Sequence, residues 1–270
     1  MSWIRPVLNR YLALTEKRVL ARETDPVRLR RNLDFKAQLF FHAPLGTRGD
    51  WRALGPLCTR RLRPRKQCNG GPVILYLHGG GYVFGSPRSH EALLAQLTRR
   101  TGLTSLLPRY RLAPEHPFPA AIEDALTAYR ALLSDAPGGI VIGGDSAGGG
   151  LSLALLAEII GKGLPKPLGV FAFSPLTDLS YSGESVQANA DSDVVLPVSR
   201  ISDLADMVLA GVDPHDPRIS PLFADFTGAP PVWLCAGTTE FLLDDTRRMA
   251  DRLRAQGVAV TDVIETDLPH

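Results

Sequence analysis

The chain has only three cysteines in 270 residues, Cys58, Cys68 and Cys235. An odd number without metal-ligand spacing argues against a disulfide framework or a zinc cluster and points to a reducing, cytoplasmic setting. No run approaches the ~18 consecutive apolar residues of a membrane-spanning helix, and Met1 to Asp25 lacks the apolar stretch of a signal peptide. Repeats and low-complexity tracts are absent too. A net charge of +2 names no partner, but the charge is uneven: residues 1 to 70 carry about sixteen Lys and Arg against five Asp and Glu. Those arginines are scattered through a helical pattern rather than clustered, so a solvated face is expected and a nucleic-acid partner is not.

What is present is concentrated in a few segments. Ile140-Val141-Ile142-Gly143 is a short apolar run that leads into Gly144-Asp145-Ser146-Ala147-Gly148. A serine in a tight strand-to-helix turn is pushed into the open, and glycines two residues to either side let neighbouring backbone pass where a Cβ would clash. The apolar, helix-forming run Leu151 to Ile160 follows, so a helix N-terminus aims free amides and the positive dipole end at Ser146. That is the pattern of a nucleophile elbow.

A second apolar run, Val73 to Leu77, ends in His78-Gly79-Gly80-Gly81. Successive glycines leave backbone amides open to an approaching oxyanion, so Gly80 and Gly81, with Ala147 after the nucleophile, are the expected oxyanion-hole donors. His78 precedes the serine and sits on the wrong loop for a base; it is expected to brace the glycine loop.

Strands and helices alternate from there: Val73 to Leu77, His90 to Thr101, Leu103 to Leu107, Ala120 to Leu133, Ile140 to Gly143, then Gly169 to Phe173, Val232 to Gly237 and Val258 to Ile264. This β-α rhythm predicts a parallel sheet covered on both faces. The rhythm breaks between Tyr181 and Asp216, where Val198 to Leu209 reads as a helix. At the N-terminus Trp3, Ile4, Val7, Leu8, Tyr11, Leu12, Val19 and Leu20 recur at helical spacing, predicting one amphipathic helix whose apolar face must be covered. Arg63 to Pro72 reads as a polar turn before the first core strand.

His78-Gly79-Gly80-Gly81, Tyr110-Arg111-Leu112-Ala113-Pro114-Glu115, Gly144-Asp145-Ser146-Ala147-Gly148 and Asp216-Pro217-Arg218-Ile219-Ser220-Pro221-Leu222 occur in this order. From Pro72 to His270 the chain resembles the hormone-sensitive-lipase-like, or bacterial family IV, esterases of the α/β-hydrolase superfamily. The resemblance implies an α/β fold with a mostly parallel sheet, helices on both faces and a helical cap. Residues of about 1–45 and 181–215 are expected to form the cap, and about 46–180 and 216–270 the catalytic core, with Phe84, Tyr82 and the 194–209 region near the pocket. It also implies a serine carboxylesterase of lipid metabolism, acting on short- to medium-chain esters without metal or cofactor. Asp145 and Gly79 enter as motif support.

The fold's order is serine, acid, histidine. Only His215 and His270 follow Ser146, and His215 precedes the strand whose end should carry the acid, which leaves His270 as the base. Glu240, Asp244 and Asp245 are candidates for the acid. The family pattern of an acid, Leu two residues on and Asp four residues on fits Glu240-Phe241-Leu242-Leu243-Asp244 and favours Glu240, with Asp244 left open. A receptor-like relative of the same fold and an amidase or deacetylase remain alternative readings. Relatives continue past the histidine loop into a covering helix, so a final helix is expected to be missing here, leaving apolar sheet that invites association, a homodimer included.

Overall fold

The computed structural model describes residues 4–65 and 70–270; Trp3, Cys68 and the centre of the Arg63–Pro72 turn lie outside the described residues. Helices α1 (Arg5–Leu14), α2 (Glu16–Arg22) and α3 (Pro26–Phe40) come first, followed by strands β1 (Thr47–Leu54), β2 (Leu57–Pro64) and β3 (Val73–Leu77). Then come α4 (Glu91–Thr101), β4 (Thr104–Pro108), α5 (Ala120–Asp135), β5 (Ile140–Asp145), α6 (Ser146–Gly161) and β6 (Gly169–Phe173). The chain closes with α7 (Ser185–Ala188), α8 (Ile201–Leu209), β7 (Val232–Gly237), α9 (Leu243–Ala255) and β8 (Val260–Glu265).

The strands form one sheet in the order β1-β2-β4-β3-β5-β6-β7-β8. β1 and β2 are antiparallel to each other and β2 to β4; every pair from β4 to β8 is parallel. All strands expected from the apolar runs are present, and two more precede them. β1 and β2 escape a periodicity reading because Arg48, Asp50, Arg52, Arg60, Arg61 and Arg63 interrupt their apolar residues. Charged side chains suit an edge pair that must discourage further strand addition. Arg63 and Pro64, expected in a turn, are the last residues of β2.

Side chains of β3 alternate in the period-2 manner of a strand. Leu75 and Leu77 join the larger core, while Ile74 and Tyr76 turn to the smaller one with Leu94 and Ala95 of α4. Leu75, Leu77 and Ile142 are fully buried, and burial of each such side chain contributes about 1.5–3 kcal/mol. On the α4 side, Phe171, Phe173 and Trp233 form an edge-to-face row with centroids 5.6 Å apart, half-buried across β6 and β7.

The N-terminus differs from the single helix expected. It is broken at Thr15, whose hydroxyl bonds Tyr11 O at 2.7 Å, a back-bond that competes with helix continuation. A third helix, α3, follows, N-capped by Asp25 on the Val27 amide at 2.9 Å and with Pro26 at its first position. α1 carries no buried residue, so its apolar face is not covered by the core. Residues of α1, α2, α3 and α8 line one cavity.

Register decides where the site falls. Leu77 pairs with Gly144, setting the ends of β3 and β5 side by side, and Gly237 pairs with Glu265, doing the same for β7 and β8. The loops leaving these strands therefore converge outside the carboxyl edge of the sheet, where open α/β sheets hold their ligands.

Candidate active site

Ser146 has φ 52, a left-handed conformation that a side-chain-bearing residue adopts only at a cost of order 1–3 kcal/mol. The surroundings hold it there. A Cβ on Gly144 would sit 2.2 Å from Gly148 O, and one on Gly148 would sit 2.1 Å from Leu77 O. Both positions must be glycine for the turn to close. Leu176 N donates to Ser146 O at 2.9 Å, tying the elbow to the loop after β6. The serine lines a cavity of about 650 Å³ shared with Gly79, Gly80, Gly81, His90, Asp145 and His270.

The glycine loop lies against the elbow. Gly79 N donates to Asp145 Oδ1 at 3.0 Å, and Tyr76 OH donates to the same oxygen at 2.9 Å. Among the described residues the amides of Gly80 and Gly81 donate to no protein acceptor. That of Ala147 lies in the first turn of α6, where no helical partner exists. Three amides are thus free beside Ser146. His78 is buried, its Nδ1 donating to Gly79 O at 2.9 Å, and Tyr110 stacks on it at 4.4 Å while donating to its carbonyl at 2.7 Å. Burial and the neighbouring His90 push His78 down to about 3, so it stays neutral. Arg111 forks onto Asp124, and Arg30 of α3 reaches Val83 O, Ala113 O and Glu115 at 2.7–2.8 Å, tying α3 to the loops after β3 and β4.

At the other side of the cavity, His270 Nδ1 donates to Glu240 Oε2 at 2.7 Å. Glu240 is buried to 1% exposure and His270 is half-buried. Burial opposes charge on either group, but their hydrogen bond and mutual attraction outweigh it, holding the imidazole above and the carboxyl below its ordinary value. Asp244 is elsewhere: its Oδ2 accepts from Ser185 N at 2.8 Å at the start of α9. His215 pairs with Asp213 on the surface. Phe84 and residues 195–197, 201 and 204 line the cavity, whereas Tyr82, expected there, is absent from the wall and buried instead.

The family profile described as the alpha/beta hydrolase fold matches residues 74–270. The chain belongs to the α/β hydrolases. Its placement within them follows from solved structures. A bacterial hormone-sensitive-lipase-family esterase superposes with a TM-score of 0.91 at 35% identity, covering 98% of this chain and 89% of that one. A hormone-sensitive lipase from a metagenome library does so with 0.92 at 34%, covering 98% and 90%. In sequence, the chain is 39% identical to an acetyl-hydrolase of Streptomyces hygroscopicus over 79% of its own length and 71% of that protein. It is 35% identical to an esterase of Acinetobacter venetianus over 73% and 66%. This is an α/β hydrolase of the hormone-sensitive-lipase-like branch.

Two residues of this hydrolase, Ser174 and His90, carried no signal in the sequence, and a third, Asp245, was a candidate for the acid. Ser174, at φ 46, donates its hydroxyl to Glu240 Oε1 at 2.8 Å, and Gly237 N meets the same oxygen at 2.5 Å. With Oε1 held twice, Oε2 is left to face His270. A glutamate has one more rotatable bond than an aspartate, and this tether takes up that freedom. Ser174→Ala is expected to lower kcat about tenfold with KM unchanged, the worth of one hydrogen bond to a charged group; a fall through KM alone would assign Ser174 to substrate contact.

His90 Nε2 lies 3.1 Å from Asp145 Oδ2, and although burial opposes it, the Asp145 charge holds the imidazole above its ordinary value. Asp145, despite burial, is held down to about 2 by His90, so its carboxylate stays ionised beneath the glycine loop.

Asp245, five residues beyond Glu240, lies away from the imidazole. Its Oδ2 accepts from Thr177 N at 2.7 Å and Asp178 N at 3.0 Å, while Oδ1 has no partner, and burial pushes the carboxyl up to about 7. The folded protein keeps a proton that the unfolded chain releases near pH 3.8. Stability must therefore fall as pH rises from about 4 to about 7, by up to about 1.4 kcal/mol per pH unit. Urea denaturation at about pH 5 and about pH 7.5 should show that loss in the native protein and a smaller one in Asp245→Asn.

Proposed function

We propose that the protein is a serine carboxylic ester hydrolase working through an acyl-enzyme, with Ser146 as nucleophile, His270 as base and Glu240 as acid. The observation that carries this reading is the 2.7 Å hydrogen bond from His270, which lines the cavity that holds Ser146, to the buried Glu240. A serine hydroxyl is a weak nucleophile until an oriented imidazole takes its proton.

Ser146 Oγ adds to the acyl carbon as its proton passes to His270 Nε2. Glu240 holds the Nδ1 proton and stabilises the imidazolium. The amides of Gly80, Gly81 and Ala147 receive the oxyanion, and being preorganised they need no reorientation as charge develops. Collapse breaks the ester C–O bond, and the alcohol leaves with the proton from His270. Water then gives its proton to the same nitrogen, attacks the acyl carbon, and releases the acid and Ser146 Oγ–H.

The substrate class follows from the wall. Leu8, Leu12, Leu29, Leu33, Leu196 and Leu204 supply an apolar lining, and about 650 Å³ suits a small ester with a short- to medium-length acyl chain. Residues 1–45 and 181–215 act as the cap that bounds it. No metal or organic cofactor takes part.

The test is p-nitrophenyl butyrate in a stopped-flow instrument, followed by intact mass after a p-nitrophenyl phosphonate. A burst of p-nitrophenol equal to the enzyme concentration, with the phosphonyl adduct on Ser146, is expected. Binding without burst or adduct would turn the assignment to a receptor-like relative. Matched anilides in place of esters separate an amidase from an esterase.

A further inference from the structure

α3 has two apolar faces, and only one belongs to the cavity. Leu29, Leu33, Ala37 and Phe40 line the wall. Arg28, Arg31, Phe35 and Leu39 recur at i, i+3, i+7 and i+11 on the opposite side, all exposed, with Phe35 at 69% and Leu39 at 54%. None of these four touches the cavity. α1 repeats the arrangement: Leu12 faces the wall, while Val7 and Leu14 point outward at 67% and 48% exposure, with Arg10 on the same side.

The two kinds of surface meet at the mouth. Leu8, Tyr11, Phe40 and Phe41 line the cavity and are also 43–66% exposed. The apolar surface is thus continuous from the chemistry to the outside of the molecule. Single exposed apolar side chains are ordinary, but a contiguous group bordered by charge marks an interaction surface.

Charge selects the occupant. Among the described residues Arg10, Arg18, Arg22 and Arg31 make no ion pair. The acids of the same helices are engaged: Glu16 with Lys36, Asp25 with Arg28 and its own helix cap, Asp34 with Ser86, Glu23 with the Asp25 amide. A second copy of the chain would set these free arginines against one another. An anionic lipid surface accepts both features, the apolar side chains entering the acyl boundary and the guanidinium heads staying among the headgroups.

We propose that α1, α2 and α3 dock on an anionic lipid surface with the cavity mouth turned toward it. Docking then delivers an ester from the acyl region along a largely apolar path. This is a peripheral association and needs no membrane-spanning segment; among the described residues no helix is long and apolar enough to cross a membrane.

The experiment is flotation of the full chain with vesicles of phosphatidylcholine alone or with about 30% phosphatidylglycerol. Association with the anionic vesicles, weakened by about 0.5 M salt, is expected. Phe35→Gln/Leu39→Gln should lower the partition coefficient at least tenfold, because two large side chains no longer leave water. Arg10→Gln/Arg18→Gln/Arg22→Gln/Arg31→Gln should remove the preference for anionic lipid. Both variants are expected to keep native turnover of soluble p-nitrophenyl butyrate, so failure of docking and failure of the esterase reading are separately visible. The proposal is overturned by absence of flotation with either vesicle, by undiminished flotation of Phe35→Gln/Leu39→Gln, or by a sedimenting dimer that this variant dissociates, which would assign the face to a second copy.

Discussion

Ser146→Ala should lower kcat for p-nitrophenyl butyrate about 10⁶-fold, to the residue left by the oxyanion donors and binding alone. The substitution removes one oxygen and no packing. Its left-handed φ of 52 is imposed by Gly144, Gly148 and the Leu176–Ser146 bond, none of which involves the hydroxyl. The melting temperature should therefore stay within a few degrees of native, separating lost chemistry from lost fold. His270→Ala should cost a similar factor, and the double variant little more, because nucleophile and base act as one unit. Activity within a hundredfold of native in Ser146→Ala would place the nucleophile on another residue.

Glu240→Gln should lower kcat about 10⁴-fold while Asp244→Asn stays within a few-fold of native. A glutamine keeps the shape and the tether to Ser174 but cannot stabilise imidazolium or fix the Nδ1–H tautomer. Its pH signature follows from charge. In the native site the Glu240 carboxylate outweighs burial and raises His270 above 6.5, so the acidic limb of kcat/KM, which needs neutral imidazole, lies above that pH. Removing the carboxylate leaves burial opposed only by the weaker attraction of Asp193 and Asp145, and the limb should move to lower pH as the plateau falls. Asp244 carries no such burden, since its bond to Ser185 N holds α7 against α9. Loss of turnover only in Asp244→Asn would reverse the assignment.

Much of this molecule is legible in its sequence because the determining interactions are local. Gly144 and Gly148 are required by backbone that passes within a few residues, and the apolar runs of β3 to β8 are long enough to reveal buried parallel strands. The edge strand β1 and its neighbour β2 are hidden because their arginines answer to solvent and to partners such as Glu91 and Asp50 rather than to a core. The break at Thr15 was hidden because apolar spacing runs through it; a hydroxyl bond one turn back ends α1 there.

The sequence by itself determined the fold class, the elbow at Ser146 and the glycine loop that faces it, since strand, turn and helix preferences act over a few residues. Only the tertiary structure decided which carboxylate meets His270. Glu240, Asp244 and Asp245 lie within six residues on one loop and helix start, yet register between β7 and β8 brings only the first to the imidazole, sends the second to α7 and buries the third against the loop after β6. It also decided that an arginine-bearing N-terminal arm is a two-faced wall of the cavity. Such choices depend on where distant segments dock, and no spacing along the chain encodes them.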